Sequence, residues 1–172
     1  NINKKKGVII MERILDVAQF IFDEYLKITE TKIDEMKLQK LLYFAQRECF
    51  AITGEPLFKS ALKGWKYGPV SQKVRSVFMS DTGINATTKE ISPDAMYIIR
   101  NVIYTYGKYA SWKLSKISHQ EISWKNSRIG LKSGENGNRT MKLEDIKKDA
   151  EKVRPYDHVY DMYYDEFADS PE

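Results

Sequence analysis

Two histidines and one cysteine bound the acid–base and nucleophilic chemistry open to this 172-residue chain. His119 lies in Ser118-His119-Gln120-Glu121-Ile122-Ser123-Trp124. A His-x-Glu pair opens the zinc-deaminase motif, which also needs two cysteines in Pro-Cys-x-x-Cys spacing. Cys49 is the single cysteine, so that site, a cysteine-rich zinc site and an intrachain disulfide are all excluded. Cys49 falls on the apolar side of a helical stretch and reads as a small buried hydrophobe. His119 reads as a residue that bonds a loop or caps the preceding helix, and His158 has no local partner pattern. Gly130-Leu131-Lys132-Ser133-Gly134 carries the letters of a phosphate-binding loop in the wrong order, and no Gly-x-Ser-x-Gly elbow is present. The carboxylates fall on charged helix faces with no pair singled out. The expectation is a protein with no catalytic residue, no cofactor and no metal, and not an enzyme.

Charge points towards macromolecular partners instead. The net charge is +4, yet residues 155–172 hold six of the 24 acids and neither Lys nor Arg. That leaves 18 acids against 28 bases in residues 1–154, a surplus of ten positive charges. A basic body with an acidic, tyrosine-rich tail suggests internal masking or a tail offered to a partner. Nucleic acid is the weaker alternative. Lys4, Lys5, Lys6, Lys125, Arg128, Lys132, Arg139 and Lys142 could form a basic surface with Trp124 as a stacking face. No recognition-helix pattern accompanies them, and acids interrupt the run. No apolar run approaches the roughly 20 residues that span a bilayer. Lys4-Lys5-Lys6 and the apolar residues after it mimic the start of a signal peptide, but Glu12 and Arg13 end the run too early. A cytoplasmic location is expected, with residues 1–10 a variable or non-native leader, 11–154 one domain and 155–172 the tail.

The elements that must position these residues are helical. Ile14, Val17, Ala18, Ile21 and Tyr25 give one apolar face to a helix over Ile9–Lys27, with Glu12, Arg13, Asp16 and Lys27 solvated. Asp34 is a good N-cap for a second helix, with Glu35 placed well in its first turn. Leu38, Leu41, Leu42, Ala45, Cys49 and Ile52 form its buried stripe, and Gly54 with Pro56 ends it. The stretch Leu57–Tyr67 reads as a small two-stranded β-ribbon. Gly68-Pro69 reads as a turn that starts a helix running to Phe78, with the proline at N1. Ser92-Pro93-Asp94 opens a helix that stops at Gly107. Ser111 caps a short helix with Trp112, Leu114 and Ile117 inward. A polar loop spans Gly130–Asn138, and Thr140–Val153 makes the last helix, with Leu143, Ile146, Ala150 and Val153 on one side. The fold class is mainly α, one multi-helix domain with a small ribbon.

Three blocks in this order carry a resemblance. They are Leu38-Gln39-Lys40-Leu41-Leu42-Tyr43-Phe44-Ala45, Gly54-x-Pro56-Leu57-Phe58 and Trp65-x-Tyr67-Gly68-Pro69-Val70. A fourth is Leu114-Ser115-x-x-Ser118-His119-x-x-x-Ser123-Trp124, and Leu143-x-x-Ile146 matches a terminal segment. Together they resemble the Panacea domain family, which includes SocA-like antitoxins and phage-associated proteins labelled GepA, over about Ile14 to Val153. Asp34-Glu35 stands where a Thr-Pro helix start is common, and Ser118 and Ser123 replace the usual Thr and Pro. The resemblance implies a mostly helical antitoxin of a bacterial or prophage toxin–antitoxin pair that binds its co-encoded protein toxin directly. One branch of the family instead delivers its toxin to the ClpXP protease. The resemblance implies no cofactor and no catalytic residue; a homodimer stays open. Leu38, Leu41, Leu42, Gly54, Pro56, Gly68 and Pro69 read as structural members of the motifs. Gln39, Lys40 and Tyr43 are candidate partner contacts, because their polar ends must leave the apolar stripe or be paired inside. Trp65, Tyr67, His119 and Trp124 complete the candidate set, and the acidic tail is a second candidate contact surface.

Overall fold

One helix runs through the middle of the molecule and the others are laid around it. The computed structural model describes residues 10–80, 83–84 and 89–153. Its elements are α1 (Ile14–Thr29), α2 (Glu35–Thr53), β1 (Lys63–Trp65), β2 (Gly68–Val70), α3 (Gln72–Phe78), α4 (Pro93–Tyr106), α5 (Ser111–Ser118), α6 (Ile122–Ser127) and α7 (Leu143–Ala150). Helix α2 packs against α1, α3, α4, α5, α7 and β2, and every residue from Lys37 to Phe50 is buried. A helix covered on all sides is expected to be apolar all round. This one is not, so its polar residues must find partners inside.

The helix caps follow local chemistry. The Asp34 carboxylate accepts the Lys37 N–H at 2.8 Å, and Gly54 ends α2 in the left-handed region at φ 77°. Ser92 caps α4 through the Ala95 N–H, with Pro93 at the first helical position. Leu38, Leu41, Leu42, Ala45 and Cys49 are fully buried as expected, whereas Ile52, in the last turn of α2, is 37% exposed. Helix α1 begins at Ile14 rather than Ile9, because the chain before it runs extended and the Glu12 N–H is donated to Leu57 O at 2.8 Å. Asp16 is not solvated. It is buried, receives Arg13 Nε at 2.8 Å and also accepts the Lys89 N–H. Glu12 is half-buried and accepts the Ser92 N–H, which ties α1 to the start of α4.

The ribbon lies at residues 63–70, later than expected. Leu57 and Phe58 form no strand because Gln46 holds their backbone: its Oε1 accepts both N–H groups and its Nε2 donates to Phe58 O. The antiparallel register pairs Lys63 with Val70, Gly64 with Pro69 and Trp65 with Gly68, leaving Lys66-Tyr67 as the turn. Gly68-Pro69 therefore belongs to a strand and does not start a helix. Ser71 is the cap of α3 instead, its Oγ accepting the Val74 N–H. Thr140 does not start the last helix either. It bridges Lys63, while Gly64 N–H donates to Arg139 O and Met141 N–H donates to Leu62 O, so this segment lies along the ribbon. Helix α7 starts at Leu143 (38% exposed) and ends at Ala150, short of Val153. Two further expectations fail on α5. Ala110 is the cap, since the Ser111 hydroxyl donates to Asp34, and Trp112 is 63% exposed because Leu114 alone of the two faces the core.

The leader up to residue 9, His158 and the acidic tail lie outside the described residues. Among the described residues no helix is long and apolar enough to cross a membrane.

Candidate functional site

The turn between the two strands is the feature on which the candidate residues converge. Three-residue strands make a weak hairpin alone, since isolated two-stranded ribbons are marginal in water. This one is fastened from beneath at almost every residue. Trp124 Nε1 on α6 donates to Trp65 O at 2.8 Å. His119 lies beside it, its Nε2 3.5 Å from the Ser115 hydroxyl. The Ser115 hydroxyl on α5 donates to Tyr67 O. Lys40 Nζ on α2 donates to Pro69 O at 3.1 Å. Gln39 clamps the next residue from both sides, accepting the Ser71 N–H at 2.8 Å and donating to Ser71 O at 3.1 Å. Gly68 makes this proximity possible. Its φ is +113°, and a Cβ there would lie 2.5 Å from Ser118 Oγ and 2.6 Å from Lys40 Cε.

His119 and Trp124 act as one unit under the turn. Their rings stack at 4.0 Å between centroids and 12° between planes. Burial first, and then the positive charges of Lys40 and Arg128, push the His119 imidazole below its ordinary pKa, so it stays neutral at pH 7. A neutral ring stacks on indole without carrying a charge into the interior. The second motif block therefore supports the first.

Above the turn opens a groove of about 530 Å³. It is lined by Gln39 and Lys40 of α2, by Trp65 and Tyr67, and by Glu35, Met36, Arg75 and residues 136–138. Tyr67 is 57% exposed, and Lys66 Nζ lies 5.0 Å from its ring centre. The Arg75 guanidinium lies 5.4 Å from the Trp65 ring and is held by both oxygens of Glu35 at 2.8 and 2.7 Å. Trp65 Nε1 and Gln72 Nε2 share Asn138 Oδ1, which fixes the indole in place. Lys40 is an ammonium that is only 1% exposed. Burial lowers its pKa to about 8, against the partial support of Glu35 and Asp34. An ammonium has three protons to donate, and Pro69 O is the one acceptor it meets among the described residues.

Tyr43 stands one helical turn further along α2, away from the groove, in a buried polar cluster. Its hydroxyl lies 2.7 Å from Glu121 Oε2 and 2.8 Å from Asp149 Oδ2. A phenol has one proton and can donate to one of them. The second short contact is satisfied when Asp149 keeps its own proton. Burial, with a smaller push from Glu121, raises the Asp149 carboxyl above its usual range, although hydrogen bonds from Ser123, Tyr43 and Ile122 oppose this. Asp149 also receives the Ile122 N–H at 2.7 Å and the Ser123 hydroxyl, so a carboxylate on α7 caps the free N–H groups of α6. Glu121 is further held by Arg47 at 3.3 Å and by Lys152. This cluster locks α2, α6 and α7 together. Residue spacing singled out Glu121 only as part of a His-x-Glu pair, and pointed to neither Arg47 nor Asp149 as its partner. The one local signal was Asp149 itself, three residues after Ile146 on the face of α7 that carries its buried residues.

Gln39, Lys40, Trp65 and Tyr67 thus line one groove, His119 and Trp124 brace it, and Tyr43 lies apart. Gln39, Lys40 and Tyr43 direct their polar ends inward to partners rather than out. Arg128, counted with the basic surface, is buried and donates to Gly64 O and Glu135 O. Cys49 is buried beside Thr53, and burial pushes its thiol up to about 11. No group of three or more His, Cys, Asp or Glu able to hold a metal ion occurs among the described residues.

Comparison with known proteins agrees with the motif blocks. The family model described as "Antitoxin SocA-like, Panacea domain" matches residues 38–125, just over half of the chain. That interval runs from the first turn of α2 through the ribbon to α6, and so contains the turn and its braces. The chain is also similar to antitoxin SocA of Caulobacter vibrioides (strain NA1000 / CB15N), at 28% identity over 119 residues. The match covers 60% of this chain and 63% of that relative. No solved structure matches. With its signature residues built into one braced turn, the chain belongs to the SocA-like, Panacea-domain antitoxin family.

Proposed function

We propose that this protein is an antitoxin that neutralises a co-encoded protein toxin by binding it, and that a segment of the toxin docks in the groove beside Trp65 and Tyr67. The carrying observation is the turn itself. A half-buried Trp65 and an exposed Tyr67, flanked by Lys66 and Arg75, sit on a backbone held by side chains from three helices. Aromatic and arginine side chains on a preorganised backbone are the usual anchors of protein interfaces. Rigidity lowers the ordering cost of binding, at about 0.5–1.5 kcal/mol for each side chain already fixed.

The test is co-expression with the neighbouring reading frame. The expected result is a neighbour that is toxic alone, harmless together with this chain, and recovered with it as a stoichiometric complex. Tyr67→Ala, whose ring leaves no cavity behind, is expected to weaken the complex at least tenfold, about 1.4 kcal/mol or more, without altering the melting temperature. A harmless neighbour that does not co-purify would overturn the proposal. Toxin lifetime separates binding from delivery to a protease: simple occlusion leaves it unchanged, whereas an adaptor shortens it only in cells that contain ClpXP.

A further inference from the structure

The groove has the chemistry to hold a segment of this same chain. Its lining includes Trp65 and Tyr67 and three cations, Lys40, Lys66 and Arg75, against one anion, Glu35, which is already paired with Arg75. Only Arg75 has an anionic partner at hydrogen-bond distance, Glu35, among the described residues. Lys40 is the unusual member. It is 1% exposed, lines an open groove and uses one of its three protons on Pro69 O. A buried ammonium with spare donors is stabilised by an incoming anion, because a carboxylate both neutralises it and fills its hydrogen bonds.

Residues 155–172 match that demand. They contain Asp157, Asp161, Asp165, Glu166, Asp169 and Glu172 with no cation. Tyr156 precedes these acids and Tyr160, Tyr163, Tyr164 and Phe167 stand among them, aromatic side chains of the kind that stack on tryptophan and tyrosine. Elsewhere the chain has ten more bases than acids, so attraction of the tail to the body is favoured before any contact forms. Length allows it. Just before Val153, Lys152 bonds Glu121, Glu121 bonds Tyr43, and Tyr43 is one turn from Lys40. The 19 residues beyond reach about 60 Å when extended, several times the roughly 10–12 Å width of the helix to be passed.

We propose that the acidic, tyrosine-rich segment 155–172 occupies the groove beside Trp65 and Tyr67 in the free protein, with a carboxylate directed at Lys40. The occupancy stands on the groove and the tail alone. Its consequence, that a toxin must displace the tail, rests on the function proposed above.

The full chain carries its own probe site. Cys49 is buried with an unreactive thiol, so a cysteine introduced by Tyr163→Cys is the one that takes a nitroxide label. In the nitrogen-15 protein, the indole N–H of Trp65 and the amides of Lys66 and Tyr67 are expected to lose at least half of their intensity at 0.1 M NaCl. Carrying D161N, D165N and E166Q together, or Lys66→Glu with Arg75→Glu, is expected to restore it. A label placed by Ser170→Cys gives the same answer if removal of one tyrosine disturbs docking. Broadening at Trp65 no greater than the average over residues 10–153, with both labels, would overturn the proposal. So would broadening found only when labelled nitrogen-14 chains are mixed with unlabelled nitrogen-15 chains, since that places a second copy's tail in the groove. Adding the neighbouring frame's product is expected to restore the Trp65 signal. If it binds without doing so, the tail keeps the groove and the toxin docks elsewhere. If it binds and no broadening ever existed, the toxin reading stands and the tail reading falls.

Discussion

Tyr43→Phe asks whether a motif residue is a contact or a fastener. The substitution keeps the buried ring and its edge contact with Phe44 at 5.4 Å and removes one oxygen. That oxygen stands between two buried carboxyl groups, Glu121 at 2.7 Å and Asp149 at 2.8 Å. A hydrogen bond to a charged group is worth about 1.5–3 kcal/mol. Arg47 and Lys152 continue to hold Glu121, which reduces the loss. Asp149 then faces Glu121 with no shared donor between them, which adds to it. We expect a net loss near 2–3 kcal/mol at pH 7. For a domain of this size that is a fall of about 5–10 °C in melting temperature.

The pH dependence carries the sign of the mechanism. The Asp149 carboxyl is raised in the folded state, chiefly by burial, so the fold retains a proton there that the unfolded chain has released. Stability from this group is greatest at low pH and declines as pH rises through the folded-state value. Without the phenol the two carboxyl groups depend more on that proton, so the penalty of Tyr43→Phe is expected to be larger at pH 7.5 than at pH 5. Urea titration followed by circular dichroism at both values measures it, and toxin affinity of the folded variant should be unchanged. A loss below about 0.5 kcal/mol at both values, or an intact fold with lost affinity, would refute the structural role argued for Tyr43.

Other perturbations separate the clamps. Gly68→Ala is expected to destabilise by about 3 kcal/mol, because φ +113° disfavours a side chain and the new Cβ meets the buried Ser118 and Lys40 side chains. Gly54→Ala, also at positive φ but with nothing within 4 Å, should lose only about 1 kcal/mol in the same melt. Lys40→Met tests the buried ammonium. With a folded pKa of about 8 against an ordinary 10.5, the unfolded chain binds the extra proton between those values, so wild-type stability contributed by Lys40 rises with pH across that window. The variant lacks this term, and its stability relative to wild type is expected to fall by roughly 3 kcal/mol between pH 7 and pH 10.5; a pH-independent difference would count against a lowered Lys40 pKa in the folded state. Asp34→Ala removes the cap of α2 and the acceptor of the Ser111 hydroxyl, and should cost about 1–2 kcal/mol in a thermal melt.

Most of the helical frame was legible because helix ends are local chemistry. Asp34, Gly54 and Ser92-Pro93 act on residues within four positions of themselves, and short spacing rules read them correctly. The ribbon was misplaced because its determinants are distant. Gly68-Pro69 satisfies the local rule for a helix start, but Pro69 pairs with Gly64 and its carbonyl is taken by Lys40, 29 residues earlier. The polar residues of α2 follow the same logic. Gln39, Lys40 and Tyr43 interrupt an apolar stripe, which shows that each must be exposed or paired. Which of the two holds depends on partners 29 to 106 residues away, and no periodicity reports those. Trp112 failed in the opposite direction. Its size suggested burial, but α5 contributes one narrow face, and Leu114, Ser115 and Ser118 already fill it.

Stability alone does not account for these clamps. Buried ionic and amide groups rarely stabilise a fold more than apolar side chains of the same volume, because their desolvation consumes most of what their contacts return. A leucine at each of positions 39 and 40 would bury well against β2. What it could not do is define where the carbonyl of Pro69 or the N–H of Ser71 must stand. Hydrogen bonds are directional and apolar contacts are not, so the polar side chains specify the path of the turn to within a few tenths of an ångström. The braces from Ser115 and Trp124 act on the carbonyls just before it. The positions by which the family is recognised are thus largely those that fix one exposed turn, and a domain gains from a fixed turn when something binds there.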